Sequence, residues 1–137
     1  MSLVLDCSAF GPILLTDERH NILPGLQDAL ERSEVIVPVH WPIEVASAVQ
    51  TAIRRGRMPA GAEIDAAATV AALPIAVDSK TAAALWSDTW RLAARHNLTI
   101  YDAAYLELSL RTGSALATHD AALLSAAAAE SVELFGR

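Results

Sequence analysis

Short β-type apolar runs alternate along this chain with longer stretches of helical period. Leu3-Val4-Leu5 reads as a buried strand that stops at Asp6. A helical patch follows from about Ser8, and a second from about Ile22 to Arg32, with Pro24 near its first turn. Val35-Ile36-Val37 is a β-branched run halted by Pro38. Ile43, Ala46, Val49, Ala52 and Ile53 recur at helical spacing, which predicts a helix from about Pro42 to Arg55 that Gly56 ends. Another helix is predicted over Ala62 to Ala72. Pro74 then introduces a third strand, Ile75-Ala76-Val77. Asp78 or Ser79 is read as the cap of a long helix to about His96, with Trp86 and Trp90 one turn apart on it. Thr99 caps the next helix, which ends at Gly113. A strand at Ala115-Leu116-Ala117, a helix from Ala121 to Ala128 and a final strand at Val132-Glu133-Leu134 complete the pattern.

Strands that alternate with helices imply right-handed crossovers and a mainly parallel sheet. The predicted fold is therefore α/β, an α/β/α sandwich. No linker, low-complexity tail or repeat interrupts it, so residues 1–137 read as one domain. In such sheets chemistry belongs at the carboxyl ends of the strands, where strand order reverses.

Composition narrows the classes. Hydrophobic residues make up 53% of the chain, enough to fill a core and to argue against disorder. The opening Met1-Ser2-Leu3-Val4-Leu5 is too short for a secretory leader and meets Asp6 at once. No apolar run approaches the roughly 18 residues that a membrane helix needs. The one cysteine, Cys7, has no partner for a disulfide within the chain, which suits a cytoplasmic protein. The net charge of −6 counts against a broadly basic nucleic-acid surface. Basic residues cluster only locally, at Arg54, Arg55 and Arg57 and again at Arg91 and Arg95. Each cluster reads equally as a solvated helix face or as a contact for phosphate.

The carboxylates change the picture most. Asp6 directly follows the first strand, and Asp120 stands three residues beyond Ala117, the end of the fourth. Glu44 lies in the first turn of the helix after the second strand, and Asp102 in the first turn of the helix capped by Thr99. Taken singly, Glu44, Asp102 and Asp120 are ordinary capping or first-turn acids. Asp6 is different, because an unpaired carboxylate between apolar neighbours is costly and no lysine or arginine lies near it in sequence. Four acids at one edge would repel one another and raise the pKa of some unless a cation sat among them. An oxygen-only set suits magnesium, with manganese as a substitute, and not zinc. Two such ions roughly 4 Å apart clamp the attacking and leaving oxygens of a phosphodiester.

Four segments then resemble one family. Leu3-Val4-Leu5-Asp6-Cys7-Ser8-Ala9 is similar to the opening of PIN-domain proteins, and Glu44-Val45-Ala46-Ser47-Ala48 to their second motif. Thr99-Ile100-Tyr101-Asp102-Ala103-Ala104-Tyr105-Leu106 is the closest match, and Leu116-Ala117-Thr118-His119-Asp120-Ala121-Ala122-Leu123 resembles the fourth. Ser47 departs from the asparagine often found there, and Trp41-Pro42 before Glu44 is unusual. The resemblance implies that Asp6, Glu44, Asp102 and Asp120 bind metal, supported by hydrogen bonds from Ser8 and Thr118. It also implies a magnesium-dependent ribonuclease of the VapC toxin type: RNA substrate, cognate antitoxin, homodimeric assembly. Arg54, Arg55 and Arg57 are the candidate RNA contacts.

Other residues carry plainer readings. Cys7 is taken as a small buried hydrophobe, and the scattered His20, His40, His96 and His119 lack metal-ligand spacing. His119 is read as a solvent-facing loop residue. Trp86 with Trp90, and Tyr101 with Tyr105, are read as core or dimer packing. No glycine-rich phosphate loop is present. A haloacid-dehalogenase-type phosphatase would need a second aspartate where Ser8 stands. The remaining alternatives are a PIN nuclease outside any toxin pair and a non-catalytic partner-binding module.

Overall fold

A computed structural model describes residues 1–137. The elements in order are β1 (Ser2–Leu5), α1 (Cys7–Leu14), a 3-10 turn (Thr16–Asn21), α2 (Leu26–Arg32), β2 (Glu34–Val37), α3 (Trp41–Arg54) and α4 (Ala62–Ala72). They continue with β3 (Ile75–Val77), α5 (Thr81–Ala84), a π-helical turn (Leu85–Thr89), α6 (Trp90–His96), α7 (Ile100–Thr112), β4 (Ala115–Ala117) and α8 (Ala121–Ala129).

Every strand pair is parallel, and the sheet order is β3-β2-β1-β4. The chain steps from β1 outward through β2 to β3, then returns to place β4 on the other side of β1. Right-handed crossovers put the helices on both faces of the sheet, the expected α/β/α arrangement. Leu3, Val4 and Leu5 of β1 are wholly buried, and Phe10, Trp41, Tyr105 and Leu106 from the helices complete the core. The reversal of strand order falls between β1 and β4, where Leu5 pairs with Ala117. A crevice is therefore expected just beyond those two residues.

Three elements differ from the sequence expectation. The second helix starts at Leu26 rather than Ile22, because Gly25 turns the chain through the left-handed region at φ +80° and a 3-10 turn occupies the preceding segment. The long helix predicted to reach His96 is interrupted by the π turn. Counting 3.6 residues per turn from buried Thr81, the inward position two turns on would be Asp88. The wider turn puts fully buried Thr89 there and leaves Asp88 outside, paired with Arg91. Asp78 does not cap that helix: its carboxylate accepts from the Thr81 hydroxyl at 2.8 Å and from the Arg111 guanidinium. The third difference is at Val132-Glu133-Leu134, which forms a single parallel bridge. The Leu116 amide donates to the Glu133 carbonyl, Phe135 donates back to the Leu116 carbonyl, and Ser131 at φ +60° bends the approach. The bridge still covers the open edge of β4.

Candidate active site

Asp6 is placed by the ladder itself. Its amide donates to the Ala117 carbonyl at 2.9 Å, so the residue continues β1 by one step before α1 begins. Its side chain is 5% exposed and makes no helix cap. Instead Oδ2 accepts from the Ser8 hydroxyl at 2.6 Å and from the Thr118 hydroxyl at 2.7 Å. Each hydroxyl has one proton and both are committed to Asp6, so their own approach of 3.2 Å is contact without a bond. Their lone pairs in turn accept backbone amides, His119 on Ser8 at 2.9 Å and Asp120 on Thr118 at 3.0 Å. The β1–α1 and β4–α8 turns are thus tied together around one buried carboxylate.

Glu44 reaches the same edge from the first turn of α3. The Tyr105 hydroxyl, arriving from α7, donates to its Oε1, and His40 Nε2 lies 3.5 Å from the same oxygen. Neither neighbour figured in the sequence reading of the site, where Tyr105 was taken as packing. Signals for both were present: His40 is four residues before Glu44, and Tyr105 three after Asp102, spacings that share a helix face.

Asp102 and Asp120 combine a structural and a site-facing role. The Asp102 amide donates to the Thr99 hydroxyl at 3.1 Å, the expected cap. The Asp120 carboxylate caps α8 through Oδ2 by accepting the Leu123 amide at 2.8 Å. The half-buried carboxyl of Asp102 has its pKa pushed up to about 6, by burial first and then by the charges of Asp120, Asp6 and Glu44, with Thr99 opposing. All three of the other acids therefore act on Asp102. Cys7, half-buried beside them, is pushed up to about 12 by burial and by Asp6 and Glu44. The Tyr105 phenol is raised too, by burial and by its bond to Glu44.

No lysine or arginine pairs with any of the four acids. No three His, Cys, Asp or Glu side chains close into a ready-made metal cage; the acids line the edge separately, as like charges prefer. A set of oxygen donors with no lysine or arginine paired to it fits a hard divalent cation. A crevice of about 440 Å3 opens alongside, between Cys7, Ser8, Pro12, Glu18, Asn21 and His119.

The remaining candidates fall elsewhere. Arg57 is spent on Asp17, through two bonds of 3.0 Å, and on Glu18 at 3.3 Å. Arg54 ends α3 and Arg55 follows it, ten residues from Glu44, or about 15 Å along the helix axis. The Trp86 and Trp90 rings stack at 5.2 Å but are 82% and 51% exposed, so they are not core residues of this chain. Tyr101 is 60% exposed and so is not a core residue of this chain, while Tyr105 is fully buried. His119 is half-buried instead of solvent-facing, with Nε2 2.6 Å from the Asn21 carbonyl. The sequence reading also missed a part-buried ion triad. Arg111 holds Asp78 with two bonds and Glu107 with two more, all between 2.7 and 3.1 Å.

A family model described as PIN domain matches residues 3–129. PAE2754 from Pyrobaculum aerophilum is similar in structure, with a TM-score of 0.68 at 20% identity, covering 99% of this chain and 87% of that one. VapC20 of Mycobacterium tuberculosis, described as a sarcin-ricin loop cleaving toxin, gives a TM-score of 0.66 at 19% identity, covering 90% and 94%. Comparison with curated protein sequences gives no match.

Proposed function

The chain belongs to the PIN domain family, and from that premise we propose that it is a magnesium-dependent endoribonuclease, the toxin of a toxin–antitoxin pair. The observation that carries the reading is the placing of the four acids along one strand edge, where the Asp102 carboxyl is raised first by burial and then by Asp120, Asp6 and Glu44. Those four acids would hold the cation, with manganese able to substitute. Once bound, it would polarise an RNA phosphodiester and make a water more acidic, the chemistry of hydrolytic phosphoryl transfer.

The protein's own groups do the positioning. Ser8 and Thr118 fix the Asp6 carboxylate with two hydrogen bonds on one oxygen, Oδ2. Tyr105 holds Glu44 by one oxygen in the same way. Asp120 spends Oδ2 on the α8 amide, so it is oriented by the backbone of its own helix. These bonds fix Asp6, Glu44 and Asp120 before substrate arrives, which lowers the cost of ordering them.

RNA as substrate is supported by the likeness to VapC20, a toxin that cleaves the sarcin-ricin loop. Arg54 and Arg55 stand too far along α3 to touch the scissile phosphate, and in this reading they meet flanking strand. The antitoxin is assigned to the apolar groove of about 780 Å3 between α3 and α4, lined by Val45, Val49, Ile53, Ala66 and Val70. Such a groove suits the apolar face of a helix. A homodimer acting in the cytoplasm completes the proposal. No helix is long and apolar enough to cross a membrane.

The test is Asp6→Asn. Asparagine keeps an oxygen for Ser8 and Thr118, so the variant is expected to fold with an unchanged circular dichroism spectrum. Its magnesium-dependent cleavage of RNA is expected to be lost. Cleavage at the wild-type rate would reject the assignment.

A further inference from the structure

The acid edge presents a binding problem that its charges do not solve. Four carboxylates face a polyanion, the net charge is −6, Arg57 is paired with acids, and Arg54 and Arg55 lie about 15 Å along α3. Arg137 brings a guanidinium to this edge, 3.3 Å from the Thr118 carbonyl and from His119 Nδ1. It stands against four carboxylates, so RNA affinity here gains from a contribution that does not depend on charge.

Tyr101 is placed to make it. The residue sits in the first turn of α7, next to Asp102, with 60% of its surface exposed. It is not a loose surface aromatic. The His40 ring meets it nearly at right angles, 68° at a centroid distance of 5.5 Å. His40 in turn meets Tyr105 at 76° and 5.2 Å, and Tyr105 is buried and bonded to Glu44. Three aromatic rings thus run outward from Glu44 to solvent, and the last is braced from within. An edge-to-face contact with His40 covers at most one face of the tyrosine ring, and with 60% of the residue exposed the ring keeps surface open to solvent. Trp86 and Trp90, by contrast, lie 19° from parallel and cover one another.

We propose that Tyr101 is a stacking platform for a nucleobase adjoining the scissile phosphate. It selects RNA whose bases at the cut are unpaired, either single-stranded or turned out of a loop. Every base has a π-face, so stacking adds affinity without reading sequence and without positive charge. Duplex RNA keeps its bases stacked on each other and offers Tyr101 no partner. The proposal rests on the ribonuclease reading for the identity of the ligand and on the aromatic wall for its position.

The experiment pairs cleavage with binding. Tyr101→Ala, Tyr101→Phe and wild type are assayed for magnesium-dependent cleavage of a single-stranded RNA oligonucleotide. The same substitutions in an Asp6→Asn background are assayed for binding of that RNA, fluorescein-labelled, by anisotropy. Tyr101→Ala is expected to raise both KM and Kd about 10- to 100-fold, with kcat changed far less. Tyr101→Phe is expected to restore both to within about threefold, since the ring face and not the hydroxyl makes the contact. Melting temperatures of the Tyr101 variants should agree with those of their own parent, wild type or Asp6→Asn, the tyrosine side chain being exposed. Unchanged KM and Kd in Tyr101→Ala would overturn the proposal, as would a phenylalanine variant as impaired as the alanine one. Failure of the nuclease reading looks different: wild type would not cleave at all. The binding arm would then decide alone, with a loss specific to Tyr101→Ala supporting the platform and no RNA binding by the parent protein overturning it.

Discussion

The phenolic hydroxyl of Tyr105 on α7 donates to the carboxylate of Glu44 on α3, joining two helices whose partners are 61 residues apart in sequence. The ring is fully buried while the carboxylate is about one-third exposed, so the bond is made where core meets crevice. Tyr105→Phe keeps the ring and removes the donor. A hydrogen bond to a charged group contributes about 1.5–3 kcal/mol, and water reaching Glu44 recovers part of that. The expected loss is about 1 kcal/mol in urea unfolding at pH 8, with m unchanged. A midpoint equal to wild type would show that the bond holds nothing in place.

Asp102 gives a pH dependence with a definite sign. Its folded pKa is about 6 against an ordinary 3.8, so the native chain binds more protons than the unfolded one between those values. Stability therefore falls as pH rises from about 4 to about 6, and this group adds no further change above about 7. The carboxyl is half-buried, so solvent screening brings the effect to the order of 1 kcal/mol. Asp78 and Glu130 are shifted the other way by their basic partners, and their contributions are lost only at lower pH. Urea unfolding of wild type against Asp102→Asn isolates the term: the gap between them should grow across this window, in favour of the variant. A constant gap would mean that neither burial nor the other acids raise the Asp102 carboxyl.

A divalent cation should reverse that penalty. Magnesium added at low salt is expected to raise the melting temperature saturably, since a ligand of the native state stabilises it by about 2.7 kcal/mol at one hundred times its Kd. EDTA should remove the gain. Asp6→Asn and Asp102→Asn should lose most of it, whereas Arg54→Ala should keep it. A melting temperature that ignores magnesium in the wild type would refute the cation site directly.

The parts of this molecule that were legible in sequence are those written locally. The strands at residues 75–77 and 115–117 show as short apolar runs between breakers, and Thr99 and Gly113 bracket α7 through their own side-chain and backbone chemistry. Asp6 stood out because a carboxylate beside a buried strand has to be satisfied by something. What satisfies it, Thr118, comes from 112 residues away, and only the β1–β4 pairing brings it there. The π turn was invisible for a related reason. Residues 78–96 have helical composition throughout, and only the packing of Thr89 against the core decides where the extra residue goes. Leu134 has strand character, but only its neighbours Glu133 and Phe135 bond to the Leu116 backbone, so a run that looks like a strand forms a bridge. Tyr101 and Trp86 look like core residues by type; exposure is a property of where their helices sit.

The Arg111 triad offers the strongest stability test, because it is the one ionic cluster that lies mostly inside. Asp78 and Glu107 are nearly buried, and their charges are balanced by a single guanidinium that forks to both. Arg111→Met preserves much of the side-chain volume and leaves both carboxylates without a counter-charge. Removing one partner of a fully buried ion pair costs about 3–5 kcal/mol. Arg111 is 27% exposed, so water reaches the two orphaned acids and the expected loss falls below that range, at about 2 kcal/mol. The loss should depend on pH with a worked sign. Arg111 is the first cause holding the Asp78 pKa below its ordinary value, so without it the carboxyl protonates more readily. The variant is therefore hurt most near neutrality and recovers relative to wild type as pH falls. Adding Asp78→Asn and Glu107→Gln to Arg111→Met removes the orphaned charges and should return most of the lost stability at pH 7. If the triple variant is as unstable as the single one, the guanidinium stabilises through its packing, and the ionic account of this cluster is wrong.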